Sequence, residues 1–280
     1  MKAFGKGEVD KEVRRRHSNV KGFSFNEALH KYLLDGVELV SGTTFISRYV
    51  KPFKAGMISE IVSKSNKKNN RDYLLSSKDI RKYWRLNGNR ASHVGTAGHE
   101  FCEMYGMDPI KTVPCSVLEQ NAEKLMKALL SKYIIVEMEV SRGNRTYMMG
   151  YTIDIVLQDR ISGEYVIGDF KFTKEFTNDQ KKERSKHKTL PNYMLPPFRE
   201  LKLRDAAYDK GKLQLNLYRK LYEEDTGRNI SYCLLFHIDG ATLNPWYDKG
   251  YKVYSVPDYS EVLSRLLKPV RTNLDILDVL

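Results

Sequence analysis

Residues 165–172, YVIGDFKF, constrain the fold of this chain more than any other segment. Six of the eight residues are apolar, aromatic or glycine, as in a strand that passes through a sheet, yet Asp169 and Lys171 lie in the middle. Side chains alternate along a strand, so Asp169 and Lys171 share one face, while Phe170 and Phe172 face the core. Because an isolated charge inside a sheet is costly, the pair predicts a cleft, a metal site or an edge strand with one solvated face.

A second strand candidate, MGYTIDIVLQ at residues 149–158, also carries an aspartate in its middle, Asp154. Three aliphatic residues are expected on the face opposite to it: Ile153, Ile155 and Leu157. Carboxylates that converge from neighbouring strands repel each other unless a cation lies between them. Oxygen ligands suit Mg²⁺ or Mn²⁺, so we expect one of these ions at Asp154 and Asp169, with Lys171 beside it.

Composition points to a globular protein with a polyanionic partner. The 280 residues are 41% hydrophobic, and 47 Lys and Arg against 35 Asp and Glu give a net charge of +12. This balance favours nucleic acid first and anionic lipid second. No apolar run approaches the roughly 18 residues of a membrane span. The N-terminus lacks the apolar core of a secretory signal, so we expect a cytoplasmic protein with no membrane partner.

The three cysteines, Cys102, Cys115 and Cys233, are too widely spaced for a disulfide framework or a CxxC metal site. We expect reduced thiols. The chain also lacks a Walker A loop, so it is not expected to be its own helicase motor.

The pattern of elements predicts an α/β fold with a central mixed sheet flanked by helices. A basic arm is expected at residues 1–20 and a hairpin around Leu34-Asp35-Gly36. Helices are expected at 54–63, 78–86, 90–105, 115–131, 205–224 and 258–268. Strands are expected at 133–140, 147–157, 165–172, 229–238 and 251–255. The charged, proline-containing segment at 173–204 is expected to form a basic loop or lid.

Four pieces of the sequence, in this order along the chain, resemble the PD-(D/E)xK nuclease superfamily in its RecB-like exonuclease branch. GTAGHEFCE at 95–103 resembles the helical G-T-x-x-H motif, and Gly150–Asp154 followed by Asp169–Lys171 resembles the catalytic strands. KLQLNLYRKLY at 212–222 resembles the Q-x-x-x-Y helix. The match covers about residues 90–238, and a hairpin at 25–44 resembles the lead-in of phage-type and mitochondrial-type exonucleases. The resemblance implies a restriction-endonuclease-like core over residues 90–280, preceded by an N-terminal segment, 1–89, that forms part of the DNA cleft.

The resemblance also implies roles for individual residues. The metal ligands would be His99, Asp154, Asp169 and the backbone carbonyl of Phe170. Lys171 would orient or activate the attacking water or stabilise the phosphate, and Gln214 and Tyr218, which share a helix face, would brace the site. Glu137 and Glu139 are expected on one face of the strand at 133–140, and the sequence does not choose between them. Some members of the branch hold an iron–sulfur cluster with four cysteines. This chain has only three cysteines, so we expect no cluster here.

Two basic segments are candidate DNA surfaces, and a solvated charge run is the alternative for each. In the expected loop the candidates are Lys181, Lys182, Arg184, Lys186 and Tyr193, with Phe198 as a further base-stacking residue. The second surface precedes the His99 helix and comprises seven residues: Lys67, Lys68, Arg71, Arg81, Lys82, Trp84 and Arg85.

Together these observations predict a Mg²⁺- or Mn²⁺-dependent DNA nuclease, an exonuclease more than an endonuclease, acting from free ends and preferring single strands. The resemblance places it in DNA recombination, repair or phage DNA processing, in a bacterial or phage-infected cell, with a helicase or recombination protein as a candidate partner. The alternatives are a structure-specific or nicking endonuclease on the same core, a DNA-binding module without turnover, and a basic membrane-surface protein.

Overall fold

A six-stranded mixed sheet contains both aspartate-bearing strands. The computed structural model describes residues 20–26, 29–68, 75–173, 176, 192–240 and 247–270. In these ranges the strands are β1 (Phe23–Asn26), β2 (Lys31–Leu34), β3 (Val37–Glu38), β4 (Val40–Ser41), β5 (Tyr133–Asn144), β6 (Met149–Asp159), β7 (Tyr165–Thr173), β8 (Ile230–Asp239) and β9 (Tyr251–Val256). The helices are α1 (Gly42–Ser47), α2 (Ala55–Lys68), α3 (Ser77–Met107), α4 (Val117–Lys132), α5 (Ala207–Thr226) and α6 (Ser260–Leu266).

The strand order explains how the sheet opens around β6. The order is β4-β6-β7-β8-β9, with β5 paired to the other edge of β6. The β5–β6, β6–β7 and β8–β9 pairs are antiparallel, whereas β4–β6 and β7–β8 are parallel. β6 pairs with β7 only over Ile155–Gln158 and with β4 only at Met149 and Gly150. Between these two pairings, β6 and β7 separate.

Helices cover both faces of the sheet, so the expected α/β class with a mixed sheet between helices is confirmed. On one face α3 and α4 pack on the sheet through a cluster that includes Phe101, Leu125, Phe170 and Phe236. On the other face α5 and α6 cover a second cluster that includes Leu217, Leu235 and Leu263. Phe170 and Phe172 of β7 therefore face the core as the alternation predicted, and Asp169 and Lys171 face the opposite side.

The N-terminal hairpin docks on the sheet beside the separation of β6 and β7. Its β2–β3 turn consists of Asp35 at φ 51° and Gly36 at φ 83°, so the expected two-residue turn is confirmed. Tyr32 of β2 packs so closely on Gly150 that a Cβ there would lie 2.2 Å from the ring. Glycine at this position therefore lets the hairpin reach the sheet.

Two expectations about local structure are wrong. The helices expected at 78–86 and 90–105 are one helix, α3, because the roughly 1 kcal/mol cost of Gly88 is too small to end a helix. The sequence suggested a boundary between an N-terminal segment, 1–89, and a core, 90–280. α3 runs across this boundary and so belongs to both segments. Ile153 does not share a face with Ile155 and Leu157: it packs in the α5 cluster, and the other two pack in the α4 cluster. Alternation holds only for a regular pleat, and here Glu139 on the opposing strand has φ 47°.

Among the described residues, no helix combines the length and the apolar character that a membrane crossing requires.

Substitution of Gly98 by alanine should destabilise the fold, whereas Gly95→Ala on the same helix should not. A Cβ on Gly98 would lie 2.5 Å from the buried ring of Phe172, and a Cβ on Gly95 would meet nothing within 4 Å. We expect Gly98→Ala to lower the free energy of unfolding by about 1–3 kcal/mol through overpacking. Gly95→Ala should raise it by roughly 0.5–1 kcal/mol through helix propensity. Urea unfolding measures both, and equal effects would contradict the close packing of α3 on β7.

Candidate metal centre

The separation of β6 and β7 leaves a polar opening in which Asp154 replaces part of the missing strand ladder. The ladder between the two strands ends at Ile155 and Gly168. Beyond it, the backbone N–H of Phe170 donates to Oδ2 of Asp154 over 2.6 Å. Within a strand, the N–H and C=O of one residue point to the same side. We therefore expect the Phe170 carbonyl to face the same opening as its N–H.

His99 reaches this opening from α3. The close approach at Gly98 brings the His99 ring to 5.3 Å from the ring of Phe172, measured between centroids. Nδ1 of His99 lies 3.1 Å from Oε1 of Glu139 and 3.6 Å from Oδ2 of Asp154. The helix therefore presents an imidazole nitrogen to two carboxylates from adjacent strands.

The backbone conformation of Glu139 decides between the two glutamates of β5. Glu139 has φ 47°, a left-handed conformation that is uncommon for a residue other than glycine. Glu137, two residues earlier, pairs instead with the buried Arg142, at 3.1 Å, and with Arg228, also at 3.1 Å. The expectation that both glutamates share a face is wrong, because β5 is irregular here. Glu139 is therefore the candidate ligand that the sequence could not separate from Glu137.

One ligand atom from each of His99, Glu139 and Asp154 lies within 4.8 Å of the other two. The strained backbone at Glu139 is consistent with a functional constraint, since such conformations cost about 1–3 kcal/mol and cluster at active sites. One imidazole nitrogen and two carboxylates form a donor set that suits Mn²⁺ and, with added oxygen ligands, Mg²⁺.

Asp169, Lys171 and Gln214 form the second part of the site. Nζ of Lys171 lies 2.5 Å from Oδ2 of Asp169, and Nε2 of Gln214 donates to Oδ1 over 3.4 Å. Oδ2 of Asp169 is buried and, within the described residues, has no hydrogen bond of ordinary geometry besides this ion pair. Gln214 therefore contacts Asp169 at one carboxylate oxygen, and the ammonium of Lys171 is paired with the other.

Two buried tyrosines enclose the site. Tyr218 of α5 lies with its ring centroid 5.6 Å from that of Tyr151, and α1 packs against it at Gly42. Tyr32 of the hairpin shares a hydrogen bond with the hydroxyl of Thr152 over 2.9 Å. Burial raises the pKa of Tyr32, and the charges of Glu139 and Asp154 raise it further. Tyr32 appeared in the sequence only as part of the hairpin pattern; its position beside the site follows from how the hairpin docks.

Burial and the charges of neighbouring groups shift the pKa values of the residues in the site. Burial raises the pKa of Asp154, and the charge of Glu139 adds to the rise. Burial, together with the charge of Asp154, raises the pKa of Asp169 to about 6. Burial alone would lower the pKa of His99, but Asp154, Glu139 and Asp169 outweigh it and raise that pKa to about 9. The carboxylates likewise outweigh burial at Lys171, whose pKa is raised. The carboxylates thus make the site attractive to cations.

The candidate DNA-binding residues differ in whether the structure describes them and in how exposed they are. Lys181, Lys182, Arg184 and Lys186 lie outside the described residues. Tyr193 is partly buried and forms an isolated bridge with Arg204. Phe198 is fully buried, with its ring centroid 4.9 Å from that of Tyr49, so the expectation that it stacks on bases is wrong. On α3, Arg81 and Arg85 are exposed, and Trp84 is partly buried.

His237, which lies beside Lys171 in the sheet, has an electrostatic environment opposite to that of His99. Its Nε2 lies 2.7 Å from the carbonyl oxygen of Thr173, which can only accept, so Nε2 carries the proton. Its Nδ1 then accepts a hydrogen bond from the hydroxyl of Tyr247 over 2.8 Å. Burial lowers the pKa of His237, and the packed ring of Phe176 helps to exclude water. The folded protein therefore favours the neutral imidazole here.

Because the pKa of His237 is lowered on folding, its neutral form stabilises the protein above the ordinary histidine pKa of about 6.5, and this stability is lost as the pH falls. As the pH falls below about 6.5, we expect the wild type to lose stability faster than His237→Gln, by up to about 1.4 kcal/mol per pH unit. Urea unfolding at several pH values measures the difference in slope. Parallel curves for the two proteins would rule out a buried neutral imidazole.

No protein-family model matches this sequence, and no match is found among curated proteins. The resemblance to nucleases therefore rests on the motifs quoted above.

Proposed function

We propose that this protein is a divalent-metal-dependent DNA nuclease with a restriction-endonuclease-like core of the PD-(D/E)xK type. The observation that carries the proposal is the convergence of His99, Glu139 and Asp154 at the opening between two strands, with the Asp169–Lys171 pair on the neighbouring strand. A structural ion pair needs one acid and one base. Two carboxylates drawn together from neighbouring strands, with a third carboxylate on β7, favour a cation as their partner.

The donor set supports a metal held by His99, Glu139 and Asp154, with Asp169 and the Phe170 carbonyl as further oxygen ligands. A bound divalent ion would supply a more acidic water and would neutralise charge on the phosphate. Lys171, which the carboxylates keep protonated, would hold a phosphate oxygen or orient the water. Gln214 fixes Asp169, and Tyr218 closes the back of the site. The chain thus provides the parts that hydrolysis of a phosphodiester requires.

Within this reaction class we favour cleavage from DNA ends, with a preference for single strands, in recombination, repair or phage DNA processing. The sequence resemblance supports this choice. The two alternative functions are an endonuclease on the same core and a DNA-binding module without turnover. Cleavage assays with linear and circular DNA distinguish them.

Metal affinity tests the assignment of Glu139 against its neighbour Glu137. We expect Glu139→Gln to weaken Mn²⁺ binding by more than about tenfold, because it removes a direct ligand. Glu137→Gln should leave Mn²⁺ affinity nearly unchanged while lowering stability, because the buried Arg142 loses its partner. Titration calorimetry and urea unfolding provide the two readouts. Equal Mn²⁺ affinity in the wild type and Glu139→Gln would remove Glu139 from the site.

Cleavage assays test the reaction. We expect end-labelled linear DNA to be degraded in Mg²⁺ or Mn²⁺ and to stay intact in EDTA. Lys171→Ala and Asp154→Asn should each reduce the rate by about 10²–10⁴-fold, the range for loss of a catalytic group. Circular single-stranded DNA should stay intact if the enzyme needs an end, whereas its cleavage would favour the endonuclease. Activity that survives both substitutions would reject the proposed site, and the absence of any cleavage despite DNA binding would favour the binding module.

A further inference from the structure

Most of the excess positive charge of the chain lies in one helical segment. We call residues 51–68 and 75–93, which contain α2 and the first half of α3, the helical arm. The arm has ten Lys and Arg against two Asp and Glu, a net charge of +8, whereas the whole chain has +12. Nearly every residue of α3 from Arg81 to His93 is exposed. The arm therefore presents a concentrated positive surface to solvent.

α2 buries polar residues, and several apolar residues of the arm are exposed, although Ile80 of α3 is buried. Among the side chains of α2 that the structure describes, the buried ones are Ser59, Ser63 and Asn66. Ser59 shares a 2.7 Å hydrogen bond with the hydroxyl of Ser77, and Ser63 donates to a backbone carbonyl. Partly buried aliphatic residues flank them. Five large side chains of the arm are instead more than half exposed: Phe53 66%, Met57 54%, Ile61 58%, Tyr83 58% and Leu86 54%. A surface helix normally has the reverse arrangement.

The exposed apolar residues lie among the cations. Met57 and Ile61 are one turn apart on α2, and the exposed Lys64 follows one turn nearer the C-terminus. The ring of Phe53 lies 5.5 Å from that of Trp84, and Arg85 follows Trp84 on α3. The surface thus offers aromatic and aliphatic contacts next to positive charges.

The same helix connects the arm to the metal centre. Arg81 and His99 are 18 residues apart, which is five full turns, so they lie on one face of α3 at a separation of about 27 Å. Gly88 and Gly95 lie close to this face, and a Cβ on either would meet nothing within 4 Å. The helix surface between the arm and His99 is therefore open to an extended ligand.

We propose that the helical arm is a binding surface for single-stranded nucleic acid, whose phosphates contact the arm cations and whose bases contact the exposed apolar side chains. The charge selects a polyanion, which argues against a neutral protein partner. The apolar residues select exposed bases, because a duplex stacks its bases inside and offers mainly phosphates to such a surface. The proposal rests on the proposed function only in assuming that the strand held here is the strand that is cut.

Fluorescence anisotropy with labelled single- and double-stranded oligonucleotides of one sequence, in EDTA to prevent cleavage, tests the proposal. The apolar variant is Phe53→Ser with Met57→Ser and Ile61→Ser, and its control is Ile110→Ser with Ile161→Ser, at exposed sites outside the arm. We expect the apolar variant to bind the single strand about tenfold or more weakly and the duplex unchanged. The control should bind both as the wild type does.

The charge variant replaces Lys64, Lys67, Lys82 and Arg85 with Gln. It should weaken binding of both oligonucleotides and reduce the dependence of affinity on salt. Its control, Lys249→Gln with Lys268→Gln, should change neither by a comparable amount. Circular dichroism and thermal melting check that each variant folds.

Unchanged single-strand affinity in the apolar variant would overturn the proposal. Equal weakening for single strand and duplex would also overturn it, as would binding of phosphatidylserine vesicles without binding of oligonucleotide. Failure of the arm is distinguishable from failure of the nuclease. If only the arm proposal is wrong, Lys171→Ala abolishes DNA cleavage while the arm variants bind DNA normally. If only the nuclease proposal is wrong, the arm variants lose DNA binding, and neither they nor the wild type cleaves DNA.

Discussion

The hydrogen bond from the Phe170 backbone N–H to the carboxylate of Asp154 is the interaction on which the rest of the site depends. Where β6 and β7 separate, the N–H groups of β7 lose the partners that an adjacent strand would supply. A buried N–H without a partner costs about 1–3 kcal/mol, and the carboxylate of Asp154 removes that cost. The same bond fixes one oxygen of Asp154 at the point where His99 and Glu139 arrive. The separation of β6 and β7 therefore accounts both for the opening in the sheet and for the position of the Asp154 carboxylate.

The opening also explains why a sheet interior tolerates so many charges. Asp154 and Asp169 are buried, and the charge of Asp154 raises the cost of ionising Asp169. His99 and Lys171 offset part of this cost. Replacing such groups with apolar residues is often neutral or stabilising in proteins that need only stability. Retention of the whole set, together with the left-handed Glu139, is more consistent with a binding role than with a structural one.

The sequence predicted the parts of this arrangement that depend on local pattern. Apolar alternation and the charged pair predicted β7 and the side on which Asp169 and Lys171 lie, and a spacing of four predicted that Gln214 and Tyr218 share a face. What it did not predict depends on contacts between strands. The choice of Glu139 over Glu137, and the change of face between Ile153 and Ile155, both follow from an irregular pairing that no spacing reveals. The burial of Phe198 follows from long-range packing, and the continuity of α3 through Gly88 shows that the cost of one glycine is too small to end a helix.

That continuity matters for how a site in the sheet and a surface on the arm can act on one ligand. Packing of Gly98 against Phe172 fixes α3 to β7, so the helix carries its first half at a set distance from His99. A stacked strand advances about 3.4 Å per nucleotide, so the roughly 27 Å between Arg81 and His99 corresponds to about eight nucleotides. This length falls within the range of about 4–16 nucleotides that single-strand binding folds cover. If the arm holds a strand as proposed, a strand of this length would span from Arg81 to the candidate metal centre, and a shorter strand would contact one of the two places but not both.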